Sequence, residues 1–412
     1  MGPKMHATPR TADSTSSLAT GYVAPGFEAV RDAFALAASV DDAGGSALSI
    51  VRGDTTIVDL VAGIADPGTR RAWDGDTPSV VFSVSKAVLA ILALKLIEAG
   101  ELGLDSPVAR YWPEFAQAVK AEITVREVLA HRAGLMALDA DLTAEDLVAV
   151  APVLRAIEVQ TPLWTPGTAF GYHALTYGWI VGEILHRVSG ESAGTLVREL
   201  IAEPLGDLDI TLGATDDVLA RRAPLLPPLL ESPLPIDLTP SLQEALQAAS
   251  APTAVRSLSM GGAIADIADP AALVTALNEP DLLRAGVPAA GVIASARALA
   301  QMFAACVRDD DALLSPRSRQ TALRSLPDVP CWGGLAPRTA RFTTGFLLNN
   351  EADRRMLSPT SFGHDGAIGQ LAFADVDSRI GFAWTTNRQI GPVAATRSTL
   401  IVDALRSCMR QG

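Results

Sequence analysis

Cysteine is scarce in this sequence, and so are aromatic residues. Only Cys306, Cys331 and Cys408 occur among 412 residues, widely spaced and without a CxxC motif or Cys/His clustering. Neither a disulfide framework nor a zinc site is therefore predicted. Aromatic residues make up 5% of the chain, so alanine, leucine and valine must fill the interior. No motif calls for a metal or a cofactor, and we expect neither.

Positive charge and long apolar runs are also in short supply. Lys and Arg number 33 against 46 Asp and Glu, which gives a formal net charge of −13. This balance argues against nucleic acid or an anionic membrane surface as a partner. The most apolar stretch is interrupted by Lys95 and Glu98, so no membrane span is predicted. The first two dozen residues lack the apolar core of a secretory signal. We therefore expect a cytoplasmic protein, whose oligomeric state the sequence does not indicate.

The most informative stretch is residues 80–100, in which VVFSVSK precedes an apolar run that ends at Gly100. The run predicts a buried helix over about residues 83–99. Ser83 and Lys86 are three residues apart, so they should lie on one face at the amino-terminal end of that helix. Free N–H groups and the helix dipole favour negative charge there, and a lysine buried among apolar neighbours can accept a proton.

The pair therefore predicts an activated serine nucleophile. The alternative is a capping serine followed by a lysine that reaches solvent. The run has no polar face, and this argues against the alternative, because a solvated lysine would be expected on a helix that has a solvent-facing side.

The remaining pattern predicts an α+β fold, with an antiparallel sheet built from both chain ends, flanking helices and a mainly helical second region. Gly53-Asp54 separates two strand-like runs as in a β-hairpin. Strands are predicted again near the carboxyl end, and terminal helices should cover one face of the sheet. The other predicted helices are 25–38, 184–200 and 393–409, together with a short helical run up to residue 129 after a capping Thr124. The predicted strands are 47–52, 55–62, 341–348, 369–375 and 379–386.

We predict no division into separate domains. Residues 1–24 should form a flexible tail, and residues 25–412 a single composite catalytic domain. Within it, the α/β part should comprise 25–82 and 296–412, and the helical part 83–295.

Two further positions carry candidate chemistry. Tyr172 lies in an aromatic-rich stretch after a Pro166-Gly167 turn, and a phenol beside a lysine can exist partly as phenolate and pass protons. The alternative is an ordinary core aromatic. His364 lies among glycines, which on a strand mark the close approach of a backbone or ligand; the alternative is a turn with a solvated histidine. His173 is predicted to be a neighbour of the site, and His131 and His186 are weaker candidates.

Together, Ser83-x-x-Lys86, Tyr172 and His364-x-Gly366 resemble the three-motif pattern of the class C β-lactamase-like superfamily, which has the fold of penicillin-binding proteins. The likeness is closest to the family VIII carboxylesterases and covers roughly residues 24–404. Supporting motifs lie at residues 104–108, 131–135, 166–167 and 363–369.

The resemblance implies a role for each matching residue. Ser83 would be the acylated nucleophile, Lys86 its proton acceptor, and Tyr172 the group that carries a proton to and from the leaving group. The backbone N–H groups of Ser83 and Ala367 would form the oxyanion hole. The oxyanion and substrate-binding residues would be Ser83, His364, Gly366 and Ala367.

Two positions depart from the β-lactamase pattern. His364 replaces the lysine of Lys-Thr-Gly, and Ala174 replaces the asparagine of Tyr-x-Asn. In β-lactamases these two residues hold the amide side chain and the carboxylate of the drug, so their loss favours simple esters. The expected function is hydrolysis of small, short-chain carboxylic esters through an acyl-serine intermediate. The alternatives are an acyltransferase, a peptide cyclase or D-peptidase, a weak β-lactamase, or a non-catalytic binding relative.

Overall fold

A computed structural model of the chain describes residues 19–229, 231, 234, 239–264, 270–333, 337, 339–391 and 395–411. Within them, a large and a small antiparallel sheet are surrounded by helices. The strands are β1 (Thr20–Val23), β2 (Gly45–Arg52), β3 (Thr55–Asp66), β4 (Arg71–Ala72), β5 (Ser79–Val80), β6 (Ile210–Leu212), β7 (Val292–Ala294), β8 (Leu347–Leu348), β9 (Ser361–Asp365), β10 (Leu371–Asp375) and β11 (Ile380–Thr386).

Most of the helices lie between β5 and β8. The helices are α1 (Glu28–Ser39), α2 (Val84–Glu98), α3 (Val125–Leu129), α4 (Ala144–Ala149), α5 (Ala151–Val159), α6 (Thr176–Ser189), α7 (Ala193–Val197), α8 (Asp216–Arg221), α9 (Pro240–Ala248), α10 (Pro252–Ser259), α11 (Pro270–Asn278), α12 (Pro280–Ala285), α13 (Ala296–Ala305), α14 (Pro316–Leu323) and α15 (Thr396–Gln411). No helix among the described residues is both long enough and apolar enough to cross a bilayer.

The large sheet joins the two ends of the chain. Its strand order is β1-β3-β2-β11-β10-β9-β8, and β4 pairs with β3. The β2–β3 hairpin turns at the predicted Gly53-Asp54, and β2 pairs with β11 so that Leu48 lies opposite Trp384. The prediction of an antiparallel sheet built from both chain ends is therefore confirmed.

The two faces of β11 show why helices pack on both sides of this sheet. Ile380, Phe382 and Trp384 join the core beneath the terminal helices α1 and α15. The alternate positions are small, and a Cβ on Gly381 would lie 2.1 Å from the carbonyl oxygen of Ala300 in α13. Since alternate strand residues point to opposite faces, large side chains fill one core, and small ones let α13 approach the other face.

Helix α2 is the most enclosed helix next to the sheet. It was predicted over residues 83–99 and runs over Val84–Glu98, with Ser83 at its N-cap. Leu89, Ile91 and Leu92 are fully buried, and burial of such a side chain contributes roughly 1.5–3 kcal/mol. The chain leaves the helix through Gly100, whose φ is +77°. The apolar run therefore specifies a central helix packed on all sides.

The second sheet was not predicted. Its order is β5-β7-β6, and β6 and β7 lie inside residues 83–295, which were expected to be helical. These strands have two or three residues each, too few for an alternating pattern to be recognised. The helical part of the fold therefore includes a small sheet, and helix α2 follows directly after its strand β5.

Several predicted boundaries need correction. The tail predicted over residues 1–24 ends too late, because β1 pairs with β3 and Thr20 lies opposite Val61; residues 1–18 lie outside the described part. The helix predicted over 184–200 is divided at Gly190, which has a φ of +80°. Of the strand predicted over 341–348, only β8 forms. The closing helix begins at Thr396; residues 393 and 394 are outside the described residues.

Candidate active site

Ser83 lies at a sharp change from strand to helix. β5 pairs with β7, and the N–H of Val81 donates to the carbonyl oxygen of Val292 at 3.0 Å. Phe82 then adopts the left-handed conformation, with a φ of +48°, which costs on the order of 1–3 kcal/mol for a residue other than glycine. The helix begins at once after this turn. The tight turn therefore holds Ser83 at the amino end of α2.

Lys86 contacts the serine directly. Its Nζ donates to Ser83 Oγ at 2.9 Å and to the carbonyl oxygen of Ala289 at 3.2 Å. The lysine is completely buried. Burial lowers the pKa of Lys86 to about 7, although the charge of Asp365 acts in the opposite direction. A substantial fraction of this amine is therefore neutral near neutral pH and able to accept a proton.

The carbonyl of Ala289 reaches Lys86 because a glycine lies beside it. A Cβ on Gly178, in α6, would be 2.1 Å from the backbone nitrogen of Ala289. Only a residue without a side chain lets the helix and this segment approach so closely. Sequence reasoning missed Ala289, because it is 203 residues from Lys86 and contributes only its backbone.

Tyr172 completes a hydrogen-bonded set of three. Its hydroxyl donates to Ser83 Oγ at 2.7 Å, and Lys86 Nζ lies 4.9 Å from the centre of its ring. The expectation of a partial phenolate is wrong. Burial raises the pKa of Tyr172 above its ordinary value, and this effect outweighs the hydrogen bond with Ser83, which lowers the pKa. The phenol therefore keeps its proton in the resting site and can donate it.

An aromatic cluster holds Tyr172 in place. Phe342 stacks on its ring, with centres 5.6 Å apart and an interplanar angle of 17°. His131 lies 5.0 Å from the same ring, and its Nδ1 accepts the N–H of His173 at 3.2 Å. His131 was ranked too low from the sequence. The 131–135 motif of the family resemblance was a signal for it.

His173 supports the loop that carries Tyr172. Its Nδ1 lies 2.6 Å from the carbonyl oxygen of Gly171, and its Nε2 accepts the N–H of Leu135 at 2.9 Å. Burial lowers the pKa of His173 to about 4, although the bond to Gly171 opposes this shift. The ring is therefore neutral, and it links two backbone segments beside the serine.

His364 is buried on β9, so the alternative of a solvated histidine is wrong. Its side chain is 2% exposed, its Nδ1 lies 2.8 Å from the carbonyl oxygen of Asp365, and its ring lies 6.1 Å from that of Tyr172. Its Nε2 has no hydrogen-bond partner among the described residues. Burial lowers the pKa of His364, although the neighbouring carboxylate of Asp365 acts to raise it. The histidine therefore offers an unoccupied acceptor beside Tyr172.

The carboxylate of Asp365 is the negative charge near these groups. It forms an ion pair with Arg354, and its Oδ1 lies 3.4 Å from Nδ1 of His364. Burial opposes ionisation, but Arg354 and His364 hold the pKa of Asp365 well below its usual range. This fixed charge was not identified from the sequence, although Asp365 directly follows His364.

The backbone N–H groups of Ser83 and Ala367 are without an acceptor in the part of the chain that the structure describes. The turn after β9 lies against the segment before Ser83, because a Cβ on Gly366 would be 2.7 Å from the carbonyl oxygen of Val81. Within the described part of the chain, neither Ser83 nor Ala367 donates its N–H to an acceptor. These are the two donors that were predicted for an oxyanion hole.

The fold thus brings the predicted site residues together. Ser83, Lys86 and Tyr172 are joined by hydrogen bonds, and His364 lies next to Tyr172. Ala174 is almost fully buried, at 5% exposure. The described residues contain no group of three or more His, Cys, Asp or Glu side chains that could hold a metal ion.

The chain is similar to known proteins over most of its length. The family described as Beta-lactamase matches residues 34–406. The chain is similar to Esterase/beta-lactamase LipL of Mycobacterium tuberculosis, with 29% identity over 401 residues that cover 91% of this chain and 84% of that protein. A solved family VIII carboxylesterase has 27% identity and a TM-score of 0.81, with 95% of this chain and 99% of the other covered. A penicillin-binding protein homolog from Caulobacter crescentus has 29% identity, a TM-score of 0.79 and the same coverage.

Proposed function

Because this chain belongs to the beta-lactamase family of serine hydrolases, we propose that it is a carboxylesterase that acts on small, short-chain esters through an acyl-serine intermediate. The observation that carries the proposal is the contact of both Lys86 Nζ, at 2.9 Å, and Tyr172 hydroxyl, at 2.7 Å, with Ser83 Oγ. Its relatives include proteins described as esterases, which supports the choice of substrate class.

In the acylation step, the neutral fraction of Lys86 takes the proton of Ser83 as Oγ attacks the ester carbonyl carbon. The N–H groups of Ser83 and Ala367 stabilise the negative charge that develops on the carbonyl oxygen. Tyr172 gives its proton to the departing alkoxide and regains one from protonated Lys86. The acyl-serine and the free alcohol result, and Lys86 is neutral again.

Deacylation follows the same path in reverse, with water in place of the alcohol. Tyr172 passes its proton to neutral Lys86 as it takes one from the attacking water, and protonated Lys86 then gives its proton to Ser83 Oγ as the acyl bond breaks. Release of the carboxylic acid restores the resting hydrogen bonds. If an alcohol or amine replaces water at this step, the same residues perform acyl transfer, which is the alternative function.

The surroundings of the serine favour esters over β-lactams. Ala174 has a methyl group where an asparagine amide would hold the drug side chain. His364 is a neutral imidazole where a lysine would attract the drug carboxylate, since burial lowers its pKa. A small ester depends mainly on the oxyanion hole and apolar walls, so it loses little from either change.

The proposal is tested by hydrolysis of p-nitrophenyl esters of increasing acyl length, with and without added alcohols and amines. We expect hydrolysis of acetate and butyrate esters and its loss in Ser83→Ala. Mass spectrometry after brief exposure to a phosphonate should place the adduct on Ser83. The matched control is Ser85→Ala, since Ser85 Oγ accepts the N–H of Val292 at 3.0 Å, whereas the hydrogen bonds of Lys86 Nζ go to Ser83 Oγ and the carbonyl oxygen of Ala289. An adduct on Ser85 would contradict the assignment. Faster release in the presence of an alcohol would indicate the acyltransferase.

A further inference from the structure

A pocket of about 1080 Å³ lies behind the aromatic cluster of the active site. Ala130, Phe170 and Phe342 contribute apolar surface to it. Phe342 also stacks on Tyr172, so one ring separates the pocket from the proposed catalytic tyrosine. Neither Ser83 nor Tyr172 lines the pocket. It is therefore a separate cavity that shares a wall with the active site.

The pocket is positively charged, in contrast to the whole chain. Four arginines and two aspartates line it, which gives a formal charge of +2 in a protein whose net charge is −13. One arginine is neutralised, since Arg126 forms two hydrogen bonds with the carboxylate of Asp105, at 2.6 and 2.8 Å. The charge that is left comes from the other three: Arg132, Arg324 and Arg341.

Those three arginines form no ion pair with the described residues. Arg132 donates to the carbonyl oxygen of Pro327 and Arg341 to Ser325 Oγ, each at 2.6 Å. Each bond uses one nitrogen of a guanidinium group that carries five N–H donors. Most of the donors around the pocket are therefore available to a ligand.

Arg132 is partly buried without a full counter-charge. Burial lowers the pKa of Arg132, although Glu127 and Asp328 act in the opposite direction. A cation that loses water without gaining a bound carboxylate is destabilised, and an anion in the pocket would restore the missing interaction. Planar guanidinium groups suit carboxylates and phosphates especially well, since they can donate two parallel hydrogen bonds.

We propose that this pocket binds an amphipathic anion, with a carboxylate or phosphate head at the arginines and an apolar group against Phe170 and Phe342. The carboxylic acid released by ester hydrolysis would be one source of such a ligand, and an organic phosphate would be another. Binding itself does not depend on the proposed esterase activity, so it can be measured without turnover.

The test uses the full chain with Ser83→Ala, so that hydrolysis cannot interfere. Isothermal titration calorimetry is run with octanoate, octyl phosphate and the neutral octanamide. We expect at least one of the two anions to bind about tenfold or more tightly than octanamide, because charge-assisted hydrogen bonds are the stronger ones. Preference for octanoate would support a carboxylate as the ligand, and preference for octyl phosphate would support a phosphate.

Variants identify the pocket as the binding site. Adding R324Q and R341Q should weaken binding of the anion about tenfold or more and leave octanamide unchanged. The matched control is R155Q, which removes an exposed arginine outside the pocket and should leave the affinity unchanged. Equal binding of anions and octanamide, or an equal loss in R155Q, would overturn the proposal.

A second measurement needs no pocket variant. Raising the salt concentration from about 50 to about 500 mM should weaken anion binding several-fold, because salt screens interactions between partly exposed charges. Octanamide binding should not weaken. An anion affinity that does not change with salt would also overturn the proposal, even if the double variant failed to fold.

Discussion

Acidification should switch off ester hydrolysis near pH 7. In the proposed mechanism Lys86 must be neutral to take the proton of Ser83, and burial lowers its pKa to about 7. The neutral fraction is then about one tenth at pH 6, about one half at pH 7 and about nine tenths at pH 8. We therefore expect kcat/KM to rise about tenfold between pH 6 and pH 8 and to level off above. The raised pKa of Tyr172 keeps its proton in place over this range.

The assay is the initial rate of p-nitrophenyl butyrate hydrolysis. It is followed at the wavelength at which the protonated and ionised forms of p-nitrophenol absorb equally, so that the signal does not depend on pH. Ser83→Ala protein provides the blank for spontaneous hydrolysis at each pH. A flat profile between about pH 5 and 9, or a midpoint near the ordinary lysine value of about 10.4, would refute the argument. A midpoint well below pH 6.5 would point to His364 instead, because burial lowers its pKa.

Asp365→Asn sharpens this test. The carboxylate is the charge that opposes the effect of burial on Lys86, so its loss should move the midpoint to lower pH. The matched control is Asp59→Asn. Its side chain is 20% exposed against 22% for Asp365, and it also pairs with an arginine, Arg297, at 2.7 Å. The control should leave the midpoint unchanged. An equal shift in both variants would show that general loss of negative charge is responsible.

Three further outcomes are expected. Single substitutions of Lys86 or Tyr172 should each lower kcat by about 10²-fold or more, and the double variant should lose little more, because the two act as a unit; multiplicative losses in steady-state assays would contradict this. Nitrocefin should be hydrolysed with a kcat/KM far below that of p-nitrophenyl butyrate, because Ala174 and His364 cannot provide the hydrogen bond and the charge that hold a β-lactam, interactions worth about 1–3 kcal/mol each. Similar kcat/KM values for the two substrates would refute this argument. His364→Ala should impair ester turnover less than Ser83→Ala. Lys86→Met should abolish activity yet raise the free energy of unfolding by about 1–3 kcal/mol in urea titrations, because it removes a buried amine; a loss of stability would count against that reading.

Local pattern was enough to identify the central part of this protein. The apolar run after Lys86 predicts α2 within one residue at each end, because few structures other than a buried helix fit a continuous apolar segment of this length that ends at a glycine. The spacing of Ser83 and Lys86 then places their side chains together without reference to the rest of the chain. The β2–β3 hairpin and the alternation in β11 were also predictable, since strand faces follow a period of two.

The surroundings of the serine depended on contacts between distant parts of the chain. Ala289 meets Lys86 across 203 residues, and Tyr172 meets Ser83 across 89. A motif can suggest such a tyrosine, but a backbone carbonyl has no sequence signature. The same holds for the small sheet, whose strands are too short to show a period and exist only because β7 lies between β5 and β6.

The chemical state of the site was decided by tertiary structure alone. The sequence specifies which titratable groups the site contains, namely the amine of Lys86, the phenol of Tyr172 and the imidazole of His364. Their pKa values follow from burial and from the charge of Asp365, which the fold brings beside them. An expected phenolate is instead a protonated phenol, because desolvation disfavours the charged form. Sequence therefore determined the candidate reacting groups, and packing determined their protonation, since the free energy of a charge depends on all that surrounds it.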